Sequence, residues 1–124
     1  NNLSIEVNDI HQYGLDIQQR VIYLFSEQTN QHGEESGTDH ILASKFIKNI
    51  DILNSISSQA ITVKSSNTGG DWNYGMMIYD AIQRSKSRVT FEIHGSACSM
   101  GIVIPQAANL RHISRSADIM IHLG

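Results

Sequence analysis

The residues from Val89 to Gly101, which read VTFEIHGSACSMG, decide the fold. The first five, ending at Ile93, are rich in β-branched and aromatic side chains and predict a strand. The small residues at 95–97 predict a sharp turn, and the apolar run that starts at Met100 predicts a helix. A strand that turns sharply into a helix exposes one side chain at the bend and leaves unpaired backbone N–H groups beside it, where an anion is stabilised. Ser99 is therefore a candidate nucleophile, although close packing alone also favours small residues at such a junction.

Hydrophobic patterns outside this stretch predict further strands and helices. The alternation LSIEV predicts an edge strand from Leu3 to Val7, and the polar segment from Ser26 to Gly37 predicts a loop. The other expected strands are Arg20–Phe25, Ala60–Lys64, Val89–Ile93 and Asp118–His122. The expected helices are one capped by Thr38 or Asp39 and reaching Leu53, a second over Gly75–Arg84 and a third over Met100–Leu110.

This order of strands and helices predicts an α/β fold with parallel strand pairing and right-handed crossovers. The continuous apolar run Arg20–Phe25 is typical of a strand buried on both faces. Pro105 lies inside the third predicted helix and lacks an N–H, so that helix must kink or begin irregularly. The inner face of the second helix is expected to carry Met77, Ile78, Ala81 and Ile82.

Composition narrows the class of protein. The 124 residues fit one domain, 40% are apolar and 17% are charged, as in ordinary globular proteins. A net charge of −3 offers no basic surface for nucleic acid or an anionic membrane. No apolar run approaches the roughly 18 residues of a membrane span, and no signal-peptide pattern opens the sequence. One cysteine favours a reducing compartment, and six histidines without paired spacing make a metal site unexpected.

Two flanking segments give the sequence a family resemblance. Residues 65–82 read SSNTGGDWNYGMMIYDAI, and residues 115–124 read RSADIMIHLG. With the SMG turn between them, they resemble the proteolytic subunit of the Clp protease (ClpP) and its phage-type relatives. That family shows a strand, Pro-Gly-Gly, a helix with Met-x-Ile-Tyr-Asp, a Ser-Met-Gly turn and then Met-Ile-His. The resemblance covers Arg20 to the last residue and implies a ClpP/crotonase-like fold, a spiral of β-β-α units with a mostly parallel sheet.

The resemblance also implies a set of site residues. Ser99 takes the position of the nucleophile and His122 that of the general base. The backbone N–H groups of Gly70 and Met100 would form the oxyanion hole, and Gly69 and Gly70 would pair with an extended substrate as an added strand. Thr68 stands where the family has proline, which removes no hydrogen-bond donor.

Two neighbours of Ser99 are alternatives for these roles. The thiol of Cys98 is intrinsically the better nucleophile, but adjacent side chains at a bend point in different directions, and the family pattern selects Ser99. His94 is closer in sequence to Ser99 than His122 is, but it precedes the turn and is expected to face away.

The third member of a Ser-His-Asp triad is missing from the pattern. In ClpP-like proteins that aspartate follows the histidine by a long segment that also carries a helix for ring stacking, whereas this sequence stops two residues after His122. Asp118 would lie about 13 Å away along a strand, and nothing identifies Asp71 as the partner. We therefore expect residues 1–124 to form one ClpP-like domain without that C-terminal part, or else an incomplete triad.

The resulting hypothesis is a serine endopeptidase that hydrolyses unfolded or capsid-associated proteins. By resemblance it would form a homo-oligomeric ring, with an ATPase unfoldase as a possible partner. Its expected location is the cytoplasm, or a phage capsid precursor within the host cytoplasm. No cofactor is expected, and the sequence has no phosphate-binding Gly-x-x-x-x-Gly-Lys loop of its own. One alternative is a truncated or inactive subunit that binds peptide or acts in assembly. Another is a crotonase-type acyl-CoA enzyme, against which the joint presence of Ser99 and His122 weighs.

Overall fold

A computed structural model describes residues 2–25, 37–67, 69–98 and 100–120, and the side chains of all of these except residues 2, 96, 98 and 118–120. The predicted loop from Ser26 to Gly37 lies outside the described residues apart from Gly37. None of the helices in these ranges combines the length and apolar content that crossing a lipid bilayer requires.

The described chain forms both helices and strands. The helices are α1 (Asn2–Tyr13), α2 (His40–Ile56), α3 (Trp72–Gln83) and the short α4 (Met100–Val103), which continues as a 3₁₀ turn over Ile104–Ala107. The strands are β1 (Leu15–Asp16), β2 (Val21–Phe25), β3 (Ile61–Asn67), β4 (Val89–Cys98), β5 (Leu110–Ile113) and β6 (Asp118–Met120).

The described strands form one mixed, mostly parallel sheet in the order β1-β2-β3-β4-β5. Only β1 runs antiparallel to its neighbour, and β6 pairs with β4 in parallel. β3 pairs with one edge of β4. The other edge of β4 pairs first with β5, along residues 90–93, and then with β6, along residues 96–98. The predicted α/β class and parallel pairing are confirmed.

One face of the sheet carries the core. In β3 and β4 alternate residues such as Ile61, Val63 and Phe91 are buried, and the residues between them are only half-buried. β2 follows the same rule, with Ile22 and Leu24 buried and Phe25 exposed. The prediction that this strand is buried on both faces was therefore wrong: its sequence is apolar on both sides, but Val21 and Tyr23 are only half-buried.

The two long helices begin where an aspartate caps them. Asp39 Oδ1 accepts the Leu42 N–H at 2.9 Å, and Asp71 Oδ1 accepts the Tyr74 N–H at 3.1 Å. The cap of α2 is one of the two that we predicted. Helical periodicity also predicts an apolar stripe on this helix, and its residues are buried: Leu42, Phe46, Ile50 and Leu53. The cap of α3 starts that helix three residues earlier than expected. Ile78, Ala81 and Ile82 are buried there as predicted, but Met77 is 41% exposed and does not belong to the inner face.

The first element is a helix and not the predicted edge strand. Leu3, Ile5 and Val7 alternate in sequence, yet all three are exposed on α1. Gly14 ends this helix with a left-handed φ of 65° and an N–H donated to Ile10 O at 2.9 Å. Alternation indicates a strand only where a neighbouring strand supplies hydrogen bonds, and these residues instead pair their own backbone.

The segment after Met100 differs most from the prediction. The α-helix ends at Val103, and Pro105 is the second residue of the 3₁₀ turn that follows. An α-helical Pro105 would press its ring on the Gly101 carbonyl, so the tighter turn resolves the conflict. Leu110, which we assigned to the helix, instead opens the unpredicted strand β5, whose four residues are all exposed.

Candidate active site

Three strands end at one edge of the sheet. Asn67, the last residue of β3, is the register partner of Ala97 in β4, and Cys98 at the end of β4 is the partner of Met120 at the end of β6. Neighbouring strands lie about 4.8 Å apart, so the chain leaves these three ends at closely spaced points. In open parallel sheets, ligands bind beside the carboxyl ends of the strands.

The candidate nucleophile and base follow directly from these strand ends. Ser99 comes next after Cys98, and His122 comes two residues after Met120. Both lie outside the described residues, so their roles stay predictions. In the described part of the chain, the preceding residues Cys98 and Met120 are register partners, although they are 22 positions apart in the sequence.

A bulge interrupts the pairing of β4 with β3 shortly before β4 ends. Ser65 pairs with Ile93 and Asn67 with Ala97, so β4 advances four residues while β3 advances two. Gly95 lies within the bulge at a φ of 70°. The predicted turn at 95–97 is thus a bulge inside a strand that runs on to Cys98, a feature that commonly re-aims the chain next to functional sites.

The start of α4 is fixed by close packing. Met100 is 1% exposed, and its side chain lies where a Cβ on Gly75 of α3 would be, with Sδ 3.2 Å from that position. Gly101 is also closely packed, and an added Cβ there would meet the backbone of Asn67. Met100 is the first residue of α4, so its N–H has no partner four residues earlier in the helix. An N–H that is not bonded within its own helix is compatible with the predicted oxyanion role.

The two backbone N–H groups of the glycine pair 69–70, which follows β3, differ. One donates a hydrogen bond, and the other has no acceptor among the described residues. The Gly69 N–H is donated to Asn67 Oδ1 at 2.8 Å, and the Gly69 carbonyl accepts the Thr38 N–H at 2.6 Å. Within the described residues, the Gly70 N–H has no hydrogen-bond acceptor. Of the two residues predicted to pair with a substrate strand, Gly70 therefore has unused backbone groups, whereas Gly69 has already formed a bond through each of its own.

The other titratable candidates have different settings. Asp71 serves as the N-cap of α3. Asp118 pairs through its backbone with Ser96, and its side chain is not described. His94 Nε2 lies 3.1 Å from Glu92 Oε1, and His94 is the first β4 residue of the bulge, next after Ile93. Across the described ranges, no three His, Cys, Asp or Glu side chains cluster closely enough to hold a metal ion.

Sequence reasoning missed two residues of this site, Thr38 and Asn67. Each is 1% exposed, and their side chains bond to one another. A signal for Asn67 existed, because an asparagine two residues before a glycine often accepts that N–H. Thr38 gave none beyond a possible helix cap, since its partners lie 29 or more residues away.

Comparison with known proteins gives the family. A model of the family described as Clp protease matches residues 18–124. The chain belongs to the Clp protease family. The resemblance that carried the sequence interpretation is thereby confirmed; its phage-type branch stays a prediction. No curated protein sequence matches the chain.

Solved structures of this family share the fold. A point mutant of ClpP1 from Listeria monocytogenes is 27% identical with a TM-score of 0.76, over 87% of this chain and 58% of that one. ClpP1 from the same organism is 28% identical with a TM-score of 0.65, over 74% and 48%. The ClpP protease catalytic domain from Plasmodium falciparum shares the fold alone. It is 21% identical with a TM-score of 0.75, over 100% of this chain and 61% of that one. The chain thus spans about half to three fifths of these relatives.

Proposed function

We propose that this Clp protease family domain is a serine endopeptidase with Ser99 as nucleophile and His122 as general base. The observation that carries the proposal is the register of Cys98 with Met120, which joins the strand ends from which both residues follow. The Gly70 N–H, which has no acceptor in the described chain, and the first N–H of α4 support the oxyanion role of Gly70 and Met100.

The proposed reaction follows the Ser-His pattern. His122 takes the Ser99 hydroxyl proton as Oγ bonds to the peptide carbonyl carbon, and the N–H groups of Gly70 and Met100 stabilise the oxyanion. His122 then gives that proton to the leaving amine as the C–N bond breaks. Water attacks the acyl-enzyme, His122 takes one proton from it, and the Ser99 oxygen leaves and recovers that proton. The products are one amine and one carboxylic acid.

The substrate would bind as an extended peptide. Gly70 is exposed, and the backbone of Thr38 beside it bonds to Gly69 and Asp71, which leaves the N–H and carbonyl of Gly70 unused among the described residues. An added strand forms its bonds through backbone groups, so it recognises an extended backbone more than a particular sequence. This favours unfolded protein segments as substrates.

Labelling with a fluorophosphonate tests the assignment. The wild-type chain should be modified at Ser99, and Ser99→Ala should not react. His122→Ala should slow the reaction strongly, since the serine then lacks its base. Because a histidine base acts only in its neutral form, the labelling rate should fall at acidic pH, where His122 is protonated. Equal labelling in Ser99→Ala would contradict the proposal.

The assembly is also a proposal, supported by family membership alone. We infer a homo-oligomeric ring in the cytoplasm that receives unfolded chains from an ATPase partner, or a phage-type protease acting on capsid proteins. Sedimentation of the purified chain, alone and with candidate ATPases, would distinguish a ring from a monomer.

A second candidate function is a truncated or inactive subunit that binds peptide or acts in assembly. It is favoured by one observation, that the chain spans 58% of the first relative. For the active form, we propose that the third triad residue lies in a C-terminal part beyond residue 124. An intact mass of the native protein decides between them: a substantially heavier chain favours the enzyme, and a mass of 13.8 kDa favours the inactive subunit.

A further inference from the structure

Two buried polar side chains lie directly behind the glycine pair. Thr38 and Asn67 are each 1% exposed. Asn67 Nδ2 donates to Thr38 Oγ1 at 2.8 Å, and Thr38 Oγ1 lies 3.2 Å from Asn67 Oδ1. A buried amide or hydroxyl without a partner is strongly unfavourable, so this pair is stable only as long as both members are present. We call it the Thr38–Asn67 clamp.

The clamp holds the glycine pair from one side. The Thr38 N–H donates to the Gly69 carbonyl at 2.6 Å, and the Thr38 carbonyl accepts the Asp71 N–H at 2.9 Å. Asn67 Oδ1 accepts the Gly69 N–H at 2.8 Å. The approach is close: a Cβ on Gly70, where φ is 137°, would be 2.5 Å from the Thr38 carbonyl oxygen.

Peptide geometry carries the effect of the clamp to the next residue. The Gly69 carbonyl and the Gly70 N–H belong to the same planar peptide group and point in opposite directions when it is trans. No cis peptide occurs in the described residues. The bond from Thr38 to the Gly69 carbonyl therefore aims the Gly70 N–H away from Thr38. It also polarises the group, which makes that N–H a stronger donor.

We propose that Thr38 and Asn67 are positioning residues that fix and polarise the 69–70 peptide group, so that the Gly70 N–H is preorganised for the oxyanion. This inference rests on the proposed function. Preorganised donors act mainly on the transition state, so loss of the clamp should lower kcat more than it raises KM. A role in folding alone would not produce this difference.

The experiment measures hydrolysis of an N-blocked dipeptide p-nitrophenyl ester and fluorophosphonate labelling of Ser99. Removal of a whole oxyanion donor lowers kcat by about 10²–10³. For a misaimed donor we expect about a tenfold or greater loss in Thr38→Val and Asn67→Leu, with KM within about twofold of wild type. Thr38→Ser keeps the hydroxyl and should retain most of the activity. Thr90→Val on β4 is the matched control and should behave as wild type.

Several outcomes decide the inference. If wild type reacts and Thr38→Val reacts equally fast, or if Thr38→Ser fails as badly as Thr38→Val, the clamp does not position the donor. If wild type does not react at Ser99, the proposed function fails, and amide hydrogen exchange then judges the clamp. The clamp is supported if the Gly69 N–H exchanges slowly in wild type and fast in Asn67→Leu while the rest of the sheet stays protected. Equal exchange in the two proteins overturns it.

Discussion

Gly101 packs directly on the backbone of Asn67, and a Cβ at residue 101 would lie 3.2 Å from the Asn67 carbonyl carbon and closer still to its oxygen. Backbone atoms cannot move aside as a side chain can. Gly101→Ala should therefore lower the free energy of unfolding by about 1–3 kcal/mol and slow labelling of Ser99, because α4 must shift away from β3. Urea denaturation measures the first effect and fluorophosphonate kinetics the second.

Gly75→Ala provides the comparison. The atoms that an added Cβ would meet there belong to the Met100 side chain, which can change rotamer. Alanine is also the better helix former by about 1 kcal/mol, so the net loss should be smaller than at Gly101. A larger loss at Gly75 would show that Met100 cannot rearrange.

Arg20 should be essential for stability although it is far from the strand ends that form the site. Its guanidinium is buried, and the residue has an unusual φ of 56°. It donates hydrogen bonds to the carbonyl oxygens of Leu53, Ser57, Gln59 and Ala60 and to the Ser87 hydroxyl. Lysine has fewer donors on a single nitrogen, so Arg20→Lys should lower the free energy of unfolding by about 2–3 kcal/mol.

Arg88→Lys is the control for Arg20. Arg88 is exposed, and its substitution should change the free energy of unfolding by no more than about 0.5 kcal/mol. Urea denaturation of both variants gives the comparison. Equal stability of the two would mean that the carbonyl oxygens around Arg20 are satisfied in other ways.

Asp71 is expected to act as a helix cap and not as the triad carboxylate. Asparagine caps a helix as well as aspartate does, so Asp71→Asn should preserve both stability and labelling. Asp71→Ala should lower the free energy of unfolding by about 1 kcal/mol. A triad aspartate would behave differently, since its change to asparagine lowers kcat by about 10⁴ in other serine proteases. Thermal denaturation and labelling kinetics on the two variants separate the roles.

His94 should be dispensable for chemistry. Its ring forms a hydrogen bond with Glu92 on the same strand, and its side chain is 44% exposed. We expect His94→Gln to label at a rate within about twofold of wild type. His122→Gln lacks the general base, so its labelling rate should fall by a factor of about 10² or more. The reverse result would move the base to His94.

Local sequence signals predicted several elements because their causes are local. Asp39 caps α2 through its own next turn, and the α2 stripe of Leu42, Phe46, Ile50 and Leu53 follows from helical periodicity. The Clp protease family was also readable, since its motifs occur in order along the chain. The same motifs selected Gly70, whose N–H has no acceptor in the described chain.

Other predictions from local sequence were wrong because contacts beyond the neighbouring residues decide the structure there. The alternation of Leu3, Ile5 and Val7 fits a strand, but these residues form the helix α1, and none of the described strands pairs with them. The small residues at 95–97 fit a turn, but pairing with β3 and β6 keeps them in a bulged strand.

The sequence by itself determined the α/β class, the family, and the residue types that can attack a carbonyl. The tertiary structure alone decided that the ends of β4 and β6 adjoin, that Met100 inserts at Gly75, and that Thr38 supports Gly69. Strand register and close backbone approach depend on contacts between residues far apart in the chain. Periodicity and caps report only on neighbours within a few residues of one another.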